Sequence, residues 1–288
     1  MRGYLLLLPL LLCLVDNSVS YKPVILVHGL LSSSKSFDKL IQFIKKAHPG
    51  TDIYPVDMFN HLKSLNPMWK QVYEIRKYIS PIIKNAGLKG VHLICYSQGG
   101  LICRGLLETM PEHNVDTFIA LSSPLMGQYG MTLYVQKALP LVNISALQEV
   151  CYRKFFKEIS ICGYWRDPHR YEKYLEYSAF LPKLNNELLD SNSTERKRNF
   201  LRLRKLVLIG GPDDEVIAPW QSSHFGFYNE KEEVVNMKDQ MVYQKDTFGL
   251  QSLDGRGAIT IYSVPGVLHA SWPNNQTVFK NYIEKWLT

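Results

Sequence analysis

The sequence predicts an α/β fold: an open, mostly parallel sheet with helices on both faces and an inserted cap region. Three observations predict it. Short, continuous apolar runs recur along the chain, as they do in strands buried on both faces. Segments with apolar residues at helical spacing stand between those runs, and such alternation pairs the strands in parallel through crossovers. One run ends directly in a serine, Ser97, that opens a helix, a junction that sets the side chain on a sharp turn above the sheet.

The elements follow in order. Arg2 precedes an apolar run from Tyr4 to Val15 and the small residues Ser18-Val19-Ser20, which reads as a signal peptide cut before Tyr21. The run is shorter than the roughly 20 residues a membrane span needs. Residues 21–288 are then one domain, near the upper size for a single core. Pro23 to Val27 is the first strand, stopped by His28-Gly29, and Phe37, Leu40, Ile41 and Ile44 give Ser36 to Lys46 helical spacing. Ile53 to Val56 is a second strand, Met68 to Lys84 a second helix that Pro81 kinks or splits, and Val91 to Tyr96 a third strand. Gln98 to Thr109 reads as a helix and Thr117 to Ser122 as a strand. The pattern then lapses over about 124–199, an irregular insertion rich in aromatics such as Tyr129, Tyr164, Trp165, Tyr174 and Phe180, which is the cap over the C-terminal edge of the sheet. Lys205 to Ile209 and Ala258 to Val264 restore the sheet, and Thr277 to Leu287 closes the chain as an amphipathic helix.

The formal net charge is +7, and loss of Arg2 and Asp16 with the leader leaves it unchanged. Lys and Arg are scattered, except from Arg196 to Lys205, which reads as a solvated face or helix. No nucleic-acid motif accompanies the charge, which excludes nucleic acid as the partner; a basic surface suits transient contact with lipid surfaces that carry anionic headgroups. No second apolar stretch is long enough to cross a bilayer. Beyond the leader the cysteines are Cys95, Cys103, Cys151 and Cys162. In an oxidising compartment they permit three pairings, of which Cys95 to Cys103 with Cys151 to Cys162 closes the shortest loops. Asn143, Asn192 and Asn275 open Asn-x-Ser/Thr sequons and are glycosylation acceptors on the same luminal route. The histidines and cysteines show no zinc spacing, so neither a metal nor a cofactor is expected.

The chemistry centres on Leu93-Ile94-Cys95-Tyr96-Ser97-Gln98-Gly99-Gly100. A serine between a buried strand and a helix, with small neighbours, is the nucleophile elbow of the α/β-hydrolase fold, although Cys95 stands where G-x-S-x-G has its first glycine. Serine needs a base to take its proton and a carboxylate to hold that base, and this fold supplies them in the order Ser, Asp, His. Asp214 follows the fifth strand and His269 the sixth, on loops that gather at one sheet edge. Asp213 is adjacent and is the alternative to Asp214; the remaining histidines, His28, His48, His61, His92, His113, His169 and His224, occupy places that the order rule disfavours. The oxyanion of an acyl-transfer step needs donors. The backbone N–H of Gln98 supplies one, and the N–H of Leu30, brought close by Gly29, the other.

With these motifs stands a set of longer stretches: Tyr21-Lys22-Pro23-Val24, Leu121-Ser122-Ser123-Pro124, Met126-Gly127-Gln128-Tyr129-Gly130, Gly210-Gly211-Pro212-Asp213-Asp214, Pro219-Trp220-Gln221-Ser222-Ser223 and Phe225-Gly226-Phe227-Tyr228. Together they resemble the palmitoyl-protein thioesterases over nearly all of residues 21–288. The resemblance implies catalysis by Ser97, Asp214 and His269, the local disulfide pairing, and hydrolysis of long-chain fatty acyl thioesters, as acyl-CoA or S-acylated cysteine, in the lysosome. A secreted lipase or carboxylic esterase would use the same triad on oxygen esters. A catalytically inactive hydrolase-fold binding protein would have no reason to hold all three residues. The aromatics of the insertion and of Trp220 to Tyr228 are expected to wall an acyl-chain groove leading to Ser97.

Overall fold

In the computed structural model, residues 21–130, 149–153 and 158–288 are described; the leader, the sequon at Asn143 and the insertion residues 131–148 and 154–157 lie outside them. Strands β1 (Val24–Val27), β2 (Ile53–Pro55), β3 (Val91–Tyr96), β4 (Val115–Leu121) and β5 (Lys205–Gly210) belong to a six-stranded sheet. The short pair β6 (Phe227–Tyr228) and β7 (Val234–Val235) lies apart from it, and β8 (Ile259–Ser263) completes it in the order β2-β1-β3-β4-β5-β8. Every pairing in the large sheet is parallel.

Because side chains alternate along a strand, each central strand feeds two cores. Val24, Leu26, Ile94, Tyr96, Ile119, Leu121, Val207 and Ile209 pack on one face against Phe37, Leu40 and Ile44 and against Phe279, Ile283 and Leu287 near the C-terminus. Ile25, Val27, Leu93, Cys95, Phe118, Ala120, Leu206 and Leu208 pack on the other, under helices α2 (Met68–Ala86) and α3 (Gln98–Thr109). Helix α1 (Asp38–Ala47) covers the first face. That two-sided burial is why the strand sequences are continuous apolar runs.

Two expectations are corrected. Pro81 does not split α2 into two elements, since one helix runs through it from Met68 to Ala86. The C-terminal segment is not one regular α-helix: an α turn at Gln276–Val278 passes into a π-helical turn at Phe279–Ile283 and a 3-10 turn at Glu284–Trp286. Its buried residues are Val278, Phe279, Ile283 and Leu287, of which the last three stand four positions apart. The basic segment from Arg196 starts on a helix, as one of the two readings has it, and is only partly a solvated face. Arg196, in the helix Ser193–Phe200, is buried and donates to Asp190 Oδ1 at 2.9 Å and Asn186 Oδ1 at 2.9 Å.

Helix α3 carries the functional serine at its start and is pinned by Arg104 in its middle. That guanidinium is fully buried and donates to Glu108 Oε1 at 3.0 Å, Asn185 Oδ1 at 2.7 Å and the Leu184 carbonyl at 2.9 Å, with the Phe248 ring 3.8 Å away. A charge held this way ties the elbow helix to the end of the insertion, and removing it would strand the Glu108 carboxyl in the core.

His113, after α3, must be neutral: Val115 N–H donates to Nδ1 at 3.3 Å, so Nε2–H donates to the Asn199 carbonyl at 2.8 Å. Burial pushes its pKa down to about 4, against a partial upward pull from Asn199. Between that value and the ordinary value near 6.5 the unfolded chain binds a proton that the folded chain refuses. The stabilising difference is therefore whole above about pH 6.5 and is lost as pH falls towards 4, by roughly 3 kcal/mol at the bottom of the window. Urea unfolding at pH 7, 5.5 and 4.5 should show His113→Gln losing less stability across this range than the parent protein.

Candidate active site

The site is built at the C-terminal edge of the sheet, where the loops after β1, β3, β4, β5 and β8 converge. Ser97 follows β3 and precedes α3 with φ 55° and ψ −130°, a left-handed conformation that costs a side-chain-bearing residue energy. The turn closes because two glycines leave room. A Cβ on Gly99 would collide with the carbonyl oxygens of Val27 and His28, and one on Gly29 would lie 2.6 Å from Ser97 Cβ. Cys95, at the position of the missing first glycine, is disulfide-bonded to Cys103 with a Cα–Cα distance of 6.4 Å, so the elbow strand is tied to its helix. Cys151 is bonded to Cys162 within the insertion.

Ser97 Oγ lies 3.0 Å from His269 Nε2, and His269 Nδ1 lies 2.8 and 3.0 Å from the two oxygens of Asp214. The carboxylate holds the proton on Nδ1, which leaves Nε2 to accept from the serine hydroxyl. Asp214 is nearly buried, and its oxygens are fully used. Oδ1 accepts from the backbone of Val216 at 2.9 Å and Ile217 at 3.0 Å; Oδ2 accepts from Trp272 Nε1 at 2.8 Å and from the Ser122 hydroxyl. Burial alone would raise its pKa, but the hydrogen bond and charge of His269, with the donors from Ser122 and Ile217, hold it below the usual carboxylate value.

Asp213 is exposed and accepts from the Gly266 N–H at 2.7 Å, and Glu215 accepts from the His269 N–H at 2.9 Å. All three consecutive acids therefore fasten the loop that carries His269, but Asp214 is the one that meets its ring. Tyr96 donates to the His269 carbonyl at 2.8 Å and lays its ring 5.1 Å from the imidazole. Ser122, Trp272, Glu215 and Tyr96 were not legible as site residues. They act on Asp214 and His269 from loops and strands whose convergence only the fold reveals.

Two clefts meet at Ser97. A cleft of about 190 Å³ is lined by Leu31, Ser32, Ser36, Glu215, His269 and Pro273, and a narrow one of about 30 Å³ by Pro124, Gln128, Ile161, Tyr164 and Ile217; Leu30, Ser97 and Val216 line both. Gln98 heads α3, where the first N–H groups of a helix lack intrahelical partners. Its side chain donates to the Ser64 carbonyl at 2.9 Å and accepts from the Tyr164 hydroxyl at 3.1 Å, which couples the elbow to the insertion. Of the expected groove wall, Ile161 and Tyr164 reach the site. Trp165, Tyr174, Phe180, Phe225 and Phe227 do not, because they are packed into the core. Of the sequons, Asn192 is exposed, and Asn275 caps the C-terminal turn through Thr277 and Val278.

The sequence profile described as palmitoyl protein thioesterase matches residues 23–269. The chain belongs to this family. Palmitoyl protein thioesterases are thioester hydrolases, and similar members include lysosomal thioesterase PPT2 of Homo sapiens, 50% identical over 99% of this chain and 95% of that protein. Its Bos taurus counterpart is 51% identical over 94% of this chain and 89% of that protein, and palmitoyl-protein thioesterase 3 of Dictyostelium discoideum is 32% identical over 91% and 89%. Among solved structures, the mature Bacillus licheniformis lipase BlEst2 is similar in fold, with a TM-score of 0.53, 16% identity and 94% of both chains covered. With its parallel open sheet, this family member has the α/β-hydrolase fold. Among the described residues no helix is long and apolar enough to cross a membrane, and no group of His, Cys, Asp and Glu side chains could hold a metal ion.

The hydrogen bonds set an order of sensitivity that steady-state kinetics on an acyl thioester can read. Asp214→Asn should lower kcat on the order of 10⁴-fold, as loss of the orienting carboxylate does in serine hydrolases. Asp213→Asn, which touches only Gly266, should stay within about tenfold. Ser122→Ala should cost about tenfold in kcat with KM little changed, since it removes one donor from an ionised carboxylate.

Proposed function

We propose that the chain hydrolyses long-chain fatty acyl thioesters through an acyl-enzyme on Ser97, in the lysosome, where the names of its relatives place those proteins. The observation that carries the reading is the unbroken series from Ser97 through His269 to Asp214 at the meeting of two clefts. His269 takes the Ser97 proton as Oγ attacks the thioester carbonyl, and the backbone N–H groups of Gln98 and Leu30 receive the oxyanion. The thiolate leaves with the proton from His269. Water then repeats the sequence on the acyl-serine and releases the fatty acid.

The narrow cleft, with Leu30, Pro124, Ile161, Tyr164 and Ile217, is the apolar side and receives the start of the acyl chain. The larger cleft carries Ser32, Ser36 and Glu215 and takes the thiol. Residues 21–288 act as one domain after loss of 1–20, and the insertion at about 124–199 is the cap that contributes Ile161 and Tyr164.

Matched thioesters and oxygen esters of one acyl series test the substrate. The thioesters should be cleaved faster at every length, and kcat/KM should climb with chain length, each buried methylene contributing up to roughly 0.8 kcal/mol. Ile161→Trp should depress the long-chain rates and spare the short ones. Faster oxygen-ester cleavage, with no dependence on length, would make the protein an esterase without an acyl cleft.

A further inference from the structure

A further cavity, of about 550 Å³, lies at the C-terminal end of α3, the end away from Ser97, between the α2 helix and the end of the insertion. Its wall includes Trp69 and Tyr73, one turn apart on α2, with ring centroids 6.0 Å apart and planes inclined by 27°. Trp69 is fixed by its Nε1–H bond to the Ala179 carbonyl at 2.9 Å and by the Phe180 ring at 4.6 Å, while Tyr73 is half exposed. Glu108, Arg196 and Asn199 also line the cavity; they are 0%, 5% and 1% exposed. Each has a buried polar atom with no partner among the described residues: Glu108 Oε2, Arg196 Nε and Asn199 Oδ1. These atoms lie beneath the wall and are closed to solvent, so it is the polar side chains around the aromatic pair that mark a polar ligand.

The chemistry narrows the ligand. The lining cations are partly offset, Arg196 by Asp190 and Arg76 and Lys183 by Glu195, so the wall is not strongly cationic. An aromatic platform beside carboxylate, guanidinium and amide groups suits a sugar, whose C–H face lies on the ring and whose hydroxyl and acetamide groups hydrogen-bond. The same wall contains Asn192, the acceptor of the sequon Asn192-Ser193-Thr194, which is exposed at the start of its helix and makes no capping bond.

We propose that this cavity seats the first sugars of an N-linked glycan on Asn192, so that the chain's own glycan completes the packing between α2 and the end of the insertion. Attachment forms the bond from Asn192 Nδ2 to the sugar C1 and breaks the C1–O bond to a lipid diphosphate donor, which leaves with the amide proton. The seating does not depend on the thioesterase reading, but it does rest on passage through the secretory route.

The protein secreted from glycosylating cells tests it. Peptide mass spectrometry should find Asn192 occupied. Thr194→Ala, which removes the sequon at an exposed side chain, should lower Tm by about 2–4 °C. Tyr73→Ala should do the same, the double variant should fall no further, and Tyr73→Phe, which keeps the ring, should behave as the parent. The Asn192 glycan should also be released by peptide N-glycosidase several-fold faster from folded Tyr73→Ala than from the parent. Thr277→Ala, which removes the Asn275 sequon, should combine additively with Tyr73→Ala. An unoccupied Asn192, additive effects of Thr194→Ala and Tyr73→Ala, or equal release rates would overturn the proposal.

Discussion

Ser97 is held in a left-handed conformation between a strand and a helix, and that single backbone state decides much of what surrounds it. The turn can close only if β1 and the start of α3 come nearly into contact, which is why Gly29 and Gly99 face each other's neighbours where a Cβ would collide. The same closeness brings the loop after β1, with Leu30, against the nucleophile and leaves the first N–H groups of α3 directed away from their own helix. The energy of the strained residue is offset by what clamps either side of it. Cys95–Cys103 joins strand to helix, and the Arg104 guanidinium, one turn beyond Gly100, anchors the helix to Leu184 and Asn185.

A second constraint acts from the opposite side of the site. Asp214 is nearly buried and ionised, so it must collect donors, and it takes them from three loops: Ser122 after β4, Val216 and Ile217 beyond β5, and His269 and Trp272 after β8. The carboxylate thereby orients the imidazole and also locks together the loops around it. Asp213 and Glu215 extend the lock to the backbone of Gly266 and His269. Electrostatic preorganisation of this sort needs no motion at the moment of reaction.

What the sequence made legible follows from where local chemistry is decisive. The six strands read clearly because two-sided burial leaves continuous apolar runs, and Ser97, Asp214 and His269 read clearly because their order along the chain and their places after strands are properties of the fold's connectivity. Cys95 showed that the motif itself was not enough, since the first glycine is absent and a disulfide takes its part. Less was legible in the insertion. Aromatics that look alike in sequence divide into core residues, such as Trp165 and Tyr174, and site residues, such as Tyr164, and only packing separates them. Arg196 reads as surface because Arg usually is, yet Asp190 and Asn186 partner it inside the fold. Ser122 and Trp272 gave no signal, because a lone hydroxyl or indole becomes a positioning group only when a distant carboxylate folds against it.

The central claim is that acyl transfer passes through Ser97. Rapid mixing with a long-chain acyl thioester, acid quench and peptide mass spectrometry measure it directly. The account predicts one acyl group on the peptide that contains Ser97, formed within a turnover, chased by water, and absent from Ser97→Ala. An acyl group carried on a different residue, or undiminished turnover in Ser97→Ala, would contradict it.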